Sequence, residues 1–338
     1  MKLQNLSQFE KAVLFLSSLV FLSSFVQAVT ISNCMNLTSA GIYTLNQNLL
    51  NVKGTCFDIT SNNVFLDLGQ YKITGNGSGY GVIAFNQTTL NIQNVTIIGG
   101  NISNFYTGLT LSYASNSSII NSNSNGNLHT GIDVFASAYY GAHGNNKILN
   151  NIAYNNPNAG ITIYYSDYNT FDNNTAYYNS GINSGWGLLF STSSNNNITN
   201  NRADNHNASG ILLWDNSNNN LLSNNIASNS NQGIGLDKNC SNNTLQNNSA
   251  LYCGTGIYVG ESPFNIFRQN NMSGNYYNFY IFHSSNKDSI NQTIDTTNIV
   301  DYAYRIYYNH SISNYLYDST SVPNAGMVIC AFCNNVSI

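Results

Sequence analysis

Hydrophobic and polar residues alternate in short blocks along most of the chain, and the blocks recur with a fixed period. A glycine followed by an alternating apolar pair returns every 23 residues, at Gly187, Gly210, Gly233 and Gly256. Within each block the periodicity is two, which is typical of a β-strand whose two faces meet different environments. No stretch after the first 28 residues carries a sustained apolar stripe of period 3.6. Short strands in a fixed repeat predict an all-β solenoid.

Two further columns run in phase with the glycines, one of paired asparagines and one of single alanines that Met272 continues. The asparagine pairs lie at 150/151, 173/174, 200/201, 224/225 and 247/248, and the alanines are Ala153, Ala176, Ala203, Ala227 and Ala250. A unit of about 22–23 residues with three short strands and polar corners predicts one coil of a right-handed parallel β-helix. Coils stacked about 4.8 Å apart place equivalent residues in ladders.

The ladders give two expectations for the interior. Ile211, Ile234 and Ile257 should stack inside the helix. The asparagines at the corners can bond amide to amide along the stack. We therefore expect Asn200, Asn224 and Asn247 to be partly or fully buried with paired amides, because a buried unpaired amide costs about 1–3 kcal/mol.

Two steps of the repeat are longer than the others. The glycine spacing is 29 residues from Gly131 to Gly160 and 27 residues from Gly160 to Gly187. The extra residues should leave the coil as loops, one near residues 139–143 and one near residues 179–186. Insertions in solenoids gather on the binding face, although neutral drift of loop length gives the same pattern.

The composition narrows the classes of function. Of the 338 residues only 7% are charged, the formal net charge is −4, and hydrophobic residues make up 42%. A typical globular domain has about 25% charged residues, so asparagine, serine, threonine and tyrosine must supply this surface. Lys and Arg together number 10, too few for a positively charged surface patch. This excludes nucleic acid as a partner.

The first 28 residues predict export. Lys2 and Lys11 flank the polar start, Ala12 to Val26 is apolar, and Ala28 ends a small-x-small cleavage site. A retained anchor is the alternative, and no later segment is apolar enough to span a membrane. Six cysteines and many glycosylation sequons fit an oxidising compartment. We expect a secreted or cell-surface glycoprotein.

The stretches from Ile31 to Gly75 and from Ser241 to Val259 resemble the cap and repeats of secreted NosD-like right-handed β-helix proteins, within the wider carbohydrate-binding and sugar-hydrolase group that is frequent on archaeal surfaces. The segment from Asp295 to Ile338 resembles a connection between one helix and the next. The expected organisation is a signal peptide over residues 1–28, a cap with first coils over 29–80, repeats over 81–285 and a C-terminal β segment over 286–338.

The resemblance implies that any site lies on an outer sheet face. One outward column beside the repeated strand reads Tyr164, Ser191, Trp214, Asp237, Gly260 and Phe282, and the next reads Tyr165, Thr192, Asp215, Lys238, Glu261 and His283. Aromatic faces beside carboxylates and amides suit sugar rings. The candidate ligand-binding residues are Tyr164, Tyr165, Trp214, Asp215, Asp237 and Tyr258. Packing of Trp214 on neighbours such as Tyr258 is the alternative interpretation.

Catalysis is a second hypothesis for the same face. Asp215, Asp237 and Glu261 lie on three consecutive coils, so that two of them could form a retaining or inverting glycosidase pair. Lys238 stands between them and is more simply an ion-pair partner. Motifs of the epimerase, polygalacturonase and calcium-assisted lyase types are missing from the sequence. We therefore expect non-catalytic glycan or surface-partner binding, with a polysaccharide hydrolase or lyase as the alternative and a structural module as the second alternative.

The cysteines are expected to form disulfides. Cys330 and Cys333 have metal-site spacing but no second pair or histidine near them, which favours disulfide bonding. Cys34 with Cys56 and Cys240 with Cys253 are the natural remaining pairs, although sequence alone does not fix connectivity. The NosD name carries an association with copper, but the five His and four Met are scattered singly, so we expect no cofactor.

The C-terminal segment gives a final expectation. The repeat stops after about Ser285, and Cys333 to Ile338 reads as the start of another coil. Because an uncovered final coil recruits other strands, we expect a further repeat unit or a partner at this edge. The alternative is that Val336 to Ile338 pairs with the preceding tyrosine-rich segment.

Overall fold

The structure is a computed structural model, and it describes residues 27–135, 144–182, 184–283 and 287–337. The chain winds into a right-handed parallel β-solenoid of about 13 stacked coils. Each full coil gives one strand to each of three long sheets, called here sheets 1, 2 and 3, which contain 12, 11 and 13 strands. The fold class predicted from the repeat is confirmed.

The strands of sheet 1, in stacking order, are Val29–Ile31, Gly41–Leu45, Val64–Asp67, Thr96–Ile98, Ser118–Ile120, Lys147–Leu149, Thr170–Asp172, Asn197–Thr199, Leu221–Ser223, Thr244–Gln246, Ile266–Arg268 and Thr293–Ile294. Those of sheet 2 are Met35–Leu37, Phe57–Ile59, Tyr80–Ala84, Thr107–Ser112, Thr130–Phe135, Ala159–Tyr164, Trp186–Ser191, Ser209–Trp214, Gln232–Asp237, Thr255–Gly260 and Tyr277–Phe282.

The strands of sheet 3 are Leu49–Val52, Lys72–Gly75, Asn101–Ser103, Asn123–Asn125, Ile152–Tyr154, Thr175–Tyr177, Arg202–Asp204, Ile226–Ser228, Ser249–Leu251, Asn271–Ser273, Ile299–Val300, Tyr304–His310 and Ala325–Ala331. Two small sheets pair Ile92–Gln93 with Ala114–Ser115 and Ser313–Leu316 with Asn334–Ser337. A 3-10 helix spans Lys287–Ile290.

The register puts equivalent residues of successive coils directly beside one another. Ile211 pairs with Ile234 and Ile234 pairs with Ile257, and all three side chains are buried, as the repeat predicts. Gly210 is required where sheets 2 and 3 meet, because a Cβ there would lie 2.9 Å from both the Ala227 Cβ and the Gly233 carbonyl oxygen. Small residues therefore mark the corner at which the coil is narrowest.

The asparagine ladders exist, but they use the second residue of each pair. Asn225 and Asn248 are buried, and Asn225 Nδ2 donates to Asn248 Oδ1 at 3.0 Å. The prediction that Asn200, Asn224 and Asn247 are partly or fully buried is wrong, because all three are exposed and have φ near +55°. The predicted pairing of amides is present between two of them, since Asn247 Nδ2 donates to Asn224 Oδ1 at 2.7 Å. Asparagine tolerates this left-handed conformation better than most residues. In each pair, therefore, the first asparagine is the turn residue and the second supplies the buried amide.

Three such ladders follow the three corners of the solenoid. The corner between sheets 1 and 3 carries Asn151, Asn174, Asn201, Asn225, Asn248, Asn270 and Asn298. The corner between sheets 2 and 1 carries Asn146, Asn169, Asn196, Asn220, Asn243 and Asn265. The third corner starts with Asn127, Asn156 and Asn179, and then His206, Ser230 and Cys253 take the equivalent places.

Two of the predicted disulfides are present and the third pairing is wrong. Cys34 bonds to Cys56, and Cys330 bonds to Cys333. Cys240 and Cys253 are free, buried thiols. Cys240 continues a serine column at the bend after sheet 2, where its amide donates to Ser262 Oγ, whereas Cys253 lies in the third corner ladder. The two thiols therefore lie at different corners of the coil.

In the C-terminal segment one strand of sheet 3 runs antiparallel to its neighbour. Tyr304–His310 pairs antiparallel with Ile299–Val300, and Ala325–Ala331 continues sheet 3 beside it. Asn334–Ser337 pairs with Ser313–Leu316, the pairing given above as the alternative. A further unit or partner at this edge stays a prediction.

No helix within the described ranges is long and apolar enough to cross a membrane. The predicted signal peptide lies outside the described residues apart from its last two positions, and so does the first predicted loop at residues 139–143.

Candidate functional site

An open groove of about 330 Å³ lies on the outer face of sheet 2. Its floor is apolar, because Leu189 and Leu212 are register partners on adjacent coils and both side chains are buried. Gly235 follows in the same column, and a Cβ there would lie 2.8 Å from Leu212 Cδ1, so this glycine leaves room for the leucine side chain in the floor. The repeat therefore builds a shallow trough rather than a flat sheet face.

Aromatic rings form the walls of the groove. Trp186 stands on one side, in the column that precedes the repeated glycine, and Tyr164 and Trp214 stand on the other. The side chain of Ser191 is buried between them in the same column as Tyr164 and Trp214, so the two rings have space between them. Both tryptophans of the chain thus line this groove.

Polar groups stand at the end of the groove. Asp237 is the register partner of Trp214, and its carboxylate accepts the amide proton of Lys238 at 3.0 Å. Ser209 Oγ donates to Gln232 Oε1 at 2.9 Å, which leaves the Gln232 amide nitrogen without a partner among the described residues. An apolar floor with a few convergent polar groups is typical of small-ligand sites.

Burial shifts the ionisation of two groups here. Burial raises the pKa of the Asp237 carboxyl above its usual value, while the Lys238 amide and charge act in the opposite direction. Burial beside Asp237 raises the pKa of Tyr258 to about 12. Lys238 Nζ lies 4.5 Å from the centre of the Trp214 ring. This cation–π contact stabilises the position of the Trp214 ring in the groove wall.

The groove brings together part of the predicted set. Tyr164, Trp214 and Asp237 line it, whereas Tyr165, Asp215 and Tyr258 stand outside its lining. Tyr165 and Asp215 follow the strand in the left-handed conformation, with φ of 54° and 48°, and the Tyr165 ring lies 6.4 Å from the ring of Phe135. Tyr258 stacks on Tyr280 with ring centres 6.0 Å apart.

Trp186 is the residue that sequence reasoning missed. It occupies the position before Gly187 that Ser209 and Gln232 occupy before their own glycines, so the repeat phase alone places it on the same face. It also ends the predicted insertion at residues 179–186, in which Ser184 Oγ donates to the Pro157 carbonyl at 3.0 Å. The insertion therefore ends at a residue that lines the groove.

The three candidate catalytic carboxylates do not gather in the groove. Asp215, Lys238 and Glu261 follow one another at the strand ends, where Asp215 N donates to Asp237 O and Lys238 N donates to Gly260 O. Asp215 and Glu261 are thus two coils apart, about 10 Å along the stack, with a lysine between them. Asp237 alone of the three lines the groove.

Comparison with known families agrees with this architecture. A family model described as "Right handed beta helix region" matches residues 142–299. A second, "Periplasmic copper-binding protein (NosD)", matches residues 19–214, which is more than half of the chain. The chain belongs to the NosD family. A search of curated proteins found no match.

Solved structures of low sequence identity share the fold. The Dettilon tailspike protein gp208 is 12% identical with a TM-score of 0.56, over 86% of this chain and 62% of that chain. Geobacillus virus E2 ORF18 is 14% identical with a TM-score of 0.59, over 86% and 63%. A variant of the tailspike of E. coli bacteriophage HK620, in complex with a pentasaccharide, is 12% identical with a TM-score of 0.56, over 95% and 73%. The chain thus spans less than two thirds of the first two proteins.

The residues present do not fit the copper named in the family description. The ring nitrogens of His206 face the main-chain oxygens of Asn179 and Ala176, at 3.4 and 3.2 Å. Cys330 and Cys333 are bonded to each other. Over the residues that the structure describes, no three His, Cys, Asp or Glu side chains come together as metal ligands. Among the described residues, these side chains therefore supply no set of His, Cys, Asp or Glu ligands for copper.

Proposed function

We propose that the protein is a non-catalytic glycan-binding β-helix that works in an extracytoplasmic compartment, with its ligand in the groove between Trp186 and Trp214. The observation that carries this proposal is the placement of both tryptophans on adjacent coils, on opposite sides of an open apolar floor. Sugar rings stack their C–H faces on such aromatic walls. In the same groove, the Asp237 carboxylate offers an acceptor and the Gln232 amide offers a donor for sugar hydroxyls.

Two further observations support the compartment and the ligand class. Disulfides at Cys34–Cys56 and Cys330–Cys333 are typical of proteins that work outside the reducing cytoplasm. One protein of the same fold, the HK620 tailspike, is recorded in complex with a pentasaccharide. A protein of this fold is therefore able to hold an oligosaccharide.

A glycan array of neutral and acidic oligosaccharides tests the proposal. We expect the chain from residue 29 onward to bind at least one glycan, and the Trp186→Ala/Trp214→Ala double variant to lose that binding. Tyr177→Ala is the matched control, because Tyr177 stacks on Tyr154 at 4.7 Å on sheet 3, away from the groove. Equal binding by the wild type and the double variant would contradict the proposal.

Polysaccharide cleavage is the alternative for the same groove. It predicts release of reducing or unsaturated ends from a bound polysaccharide, and loss of that release in an Asp237→Asn variant. Binding without release of ends after prolonged incubation is the expected result.

A further inference from the structure

An open hollow of about 440 Å³ lies on the outer face of sheet 1, near the N-terminal end of the solenoid. Its floor is a column of side chains from three successive coils, in which Ile42 is the register partner of Phe65 and Phe65 is the register partner of Thr96. The Phe65 side chain is 39% exposed. This hollow, called here the Phe65 hollow, is therefore open to solvent and lies on a different face from the tryptophan groove.

Two asparagines form part of the wall of the Phe65 hollow. Asn63 and Asn94 hold equivalent positions on adjacent coils, each two residues before a floor residue, and both are exposed. Asn94 Nδ2 donates to Asn63 Oδ1 at 2.9 Å. No charged side chain is among the described residues that line the hollow. An apolar floor below exposed amides therefore suits an uncharged occupant.

The wall also carries a modification motif. Asn94, Val95 and Thr96 form an Asn-x-Thr sequon, the acceptor motif of N-glycosylation. The asparagine and the threonine that the motif specifies both line the hollow, whereas Val95 between them is buried. The acceptor nitrogen thus stands on the wall of a hollow whose floor holds an exposed aromatic ring.

An equivalent sequon one coil later lacks the aromatic neighbour. Asn116 and Ser118 take the places of Asn94 and Thr96, because Ser118 is the register partner of Thr96. The residue beside Ser118 on the preceding coil is therefore a threonine, whereas the residue beside Thr96 on its preceding coil is Phe65. The chain thus offers two matched acceptors that differ in the aromatic ring.

We propose that Asn94 is N-glycosylated and that its first, uncharged sugar lies in the Phe65 hollow with one face on the Phe65 ring. Sugar rings stack their C–H faces on aromatic rings. The sugar would also cover an exposed apolar patch on a face that otherwise meets water. N-linked glycans are bulky, solubilising groups of protein surfaces, which agrees with the exposure of Asn94.

The reaction takes its sugar from a lipid-linked saccharide. Asn94 Nδ2 bonds to the anomeric carbon of the sugar, the bond between that carbon and the phosphate oxygen of the lipid breaks, and the lipid phosphate leaves. Nδ2 loses one of its two protons in this step. The second proton stays on the nitrogen, so the hydrogen bond to Asn63 Oδ1 is kept.

This modification goes beyond the proposed function. It shares with that proposal the extracytoplasmic compartment, in which lipid-linked saccharides meet exported chains, but it does not need the groove to bind a ligand. The sugar lies on sheet 1 and the groove lies on sheet 2, so Asn94→Asp should leave glycan binding on the array unchanged.

The first experiment measures the occupancy of the sequon. The chain is secreted from a eukaryotic host, whose N-glycans begin with N-acetylglucosamine, and the glycans are released enzymatically in ¹⁸O-labelled water. Each occupied asparagine becomes a labelled aspartate, which fragment spectra of chymotryptic peptides locate. We expect Asn94 to be occupied in most chains. An unmodified Asn94 overturns the proposal.

Thermal melts of chains trimmed to one N-acetylglucosamine per site test the contact with Phe65. Asn94→Asp removes the sugar, and aspartate tolerates the φ of 56° at this position. Phe65→Thr replaces the ring with the residue type that follows it in the same column. We expect Asn94→Asp to lower the melting temperature by about 2 °C in the wild type and by less than half of that in Phe65→Thr. The lost hydrogen bond to Asn63 is common to both backgrounds.

Asn116→Asp is the matched control, because the sugar on Asn116 has no ring beside it. It should change the melting temperature equally in the wild type and in Phe65→Thr. Equal losses for Asn94→Asp in the two backgrounds would overturn the contact with Phe65. An unmodified Asn94 in a chain that dimerises by light scattering, with the dimer lost in Phe65→Thr, would assign the hollow to a second copy of the chain instead.

Discussion

Asn225 donates its side-chain amide to Asn248 Oδ1 at 3.0 Å and to the Ile198 carbonyl at 2.8 Å, and so connects three successive coils. Its own Oδ1 accepts the amide and side-chain protons of Asn201. Every hydrogen-bonding site of one buried side chain is thereby used. This explains why asparagine rather than serine recurs at the corner, since only an amide reaches coils on both sides.

Replacing this residue tests the ladder directly. We expect Asn225→Ala to lower the free energy of unfolding by about 2–4 kcal/mol, because it leaves the buried main-chain amide of Asn201 without its acceptor and removes the side-chain bonds to Asn248 and to the Ile198 carbonyl. Asn224→Gly is the matched control, since Asn224 is exposed and glycine adopts its φ of 57° without strain. Urea unfolding measures both, and equal losses would contradict the division of roles.

Asp133 should make stability depend on pH. Its pKa is about 6 in the folded chain against an ordinary value of 3.8, so folding favours the protonated form. Stability from this group is present below pH 3.8 and is lost as the pH rises through 6. We expect Asp133→Asn to stabilise the protein by about 1–3 kcal/mol at pH 7.5 and by almost nothing at pH 3.5. Thermal melts at the two pH values measure this, and a destabilised variant at pH 7.5 would be the contrary result.

His206 should act in the opposite direction. Its burial lowers the pKa to about 4 from an ordinary 6.5, so the unfolded chain binds the proton more readily. Stability from this group is present above pH 6.5 and is lost as the pH falls toward 4. Asparagine occupies the equivalent ladder position at Asn156 and Asn179. We expect His206→Asn to remove about 2–3 kcal/mol of acid sensitivity, measured by urea unfolding at pH 7 and pH 4. An unchanged acid sensitivity would contradict this role.

The cysteine assignment predicts a thiol count. The structure has two buried thiols, Cys240 and Cys253, and burial raises the pKa of Cys240 to about 12. We expect no reaction with a thiol reagent such as DTNB in the native state, and two reactive thiols per chain in denaturant without a reductant. A count of zero in denaturant would show that the two cysteines are bonded after all.

The solenoid can be predicted from the sequence because the fixed repeat determines the register between the strands of successive coils. A fixed period places Ile211 beside Ile234 whatever the details of the corners, and the same phase places Trp214 beside Asp237. It does not show which asparagine of a pair is buried, since that depends on which residue takes the left-handed turn conformation. Nor does it show that Trp186 joins Trp214, because the two belong to different columns and meet only across the groove floor.

The central claim, that the tryptophan groove binds a glycan, is tested most directly by calorimetric titration of the tightest-binding oligosaccharide from the array. We expect Trp186→Ala and Trp214→Ala each to weaken the Kd at least 10-fold, about 1.4 kcal/mol, because each removes one stacking wall. Tyr177→Ala should leave the Kd unchanged. Tryptophan variants that fold normally and bind as tightly as the wild type would contradict the account.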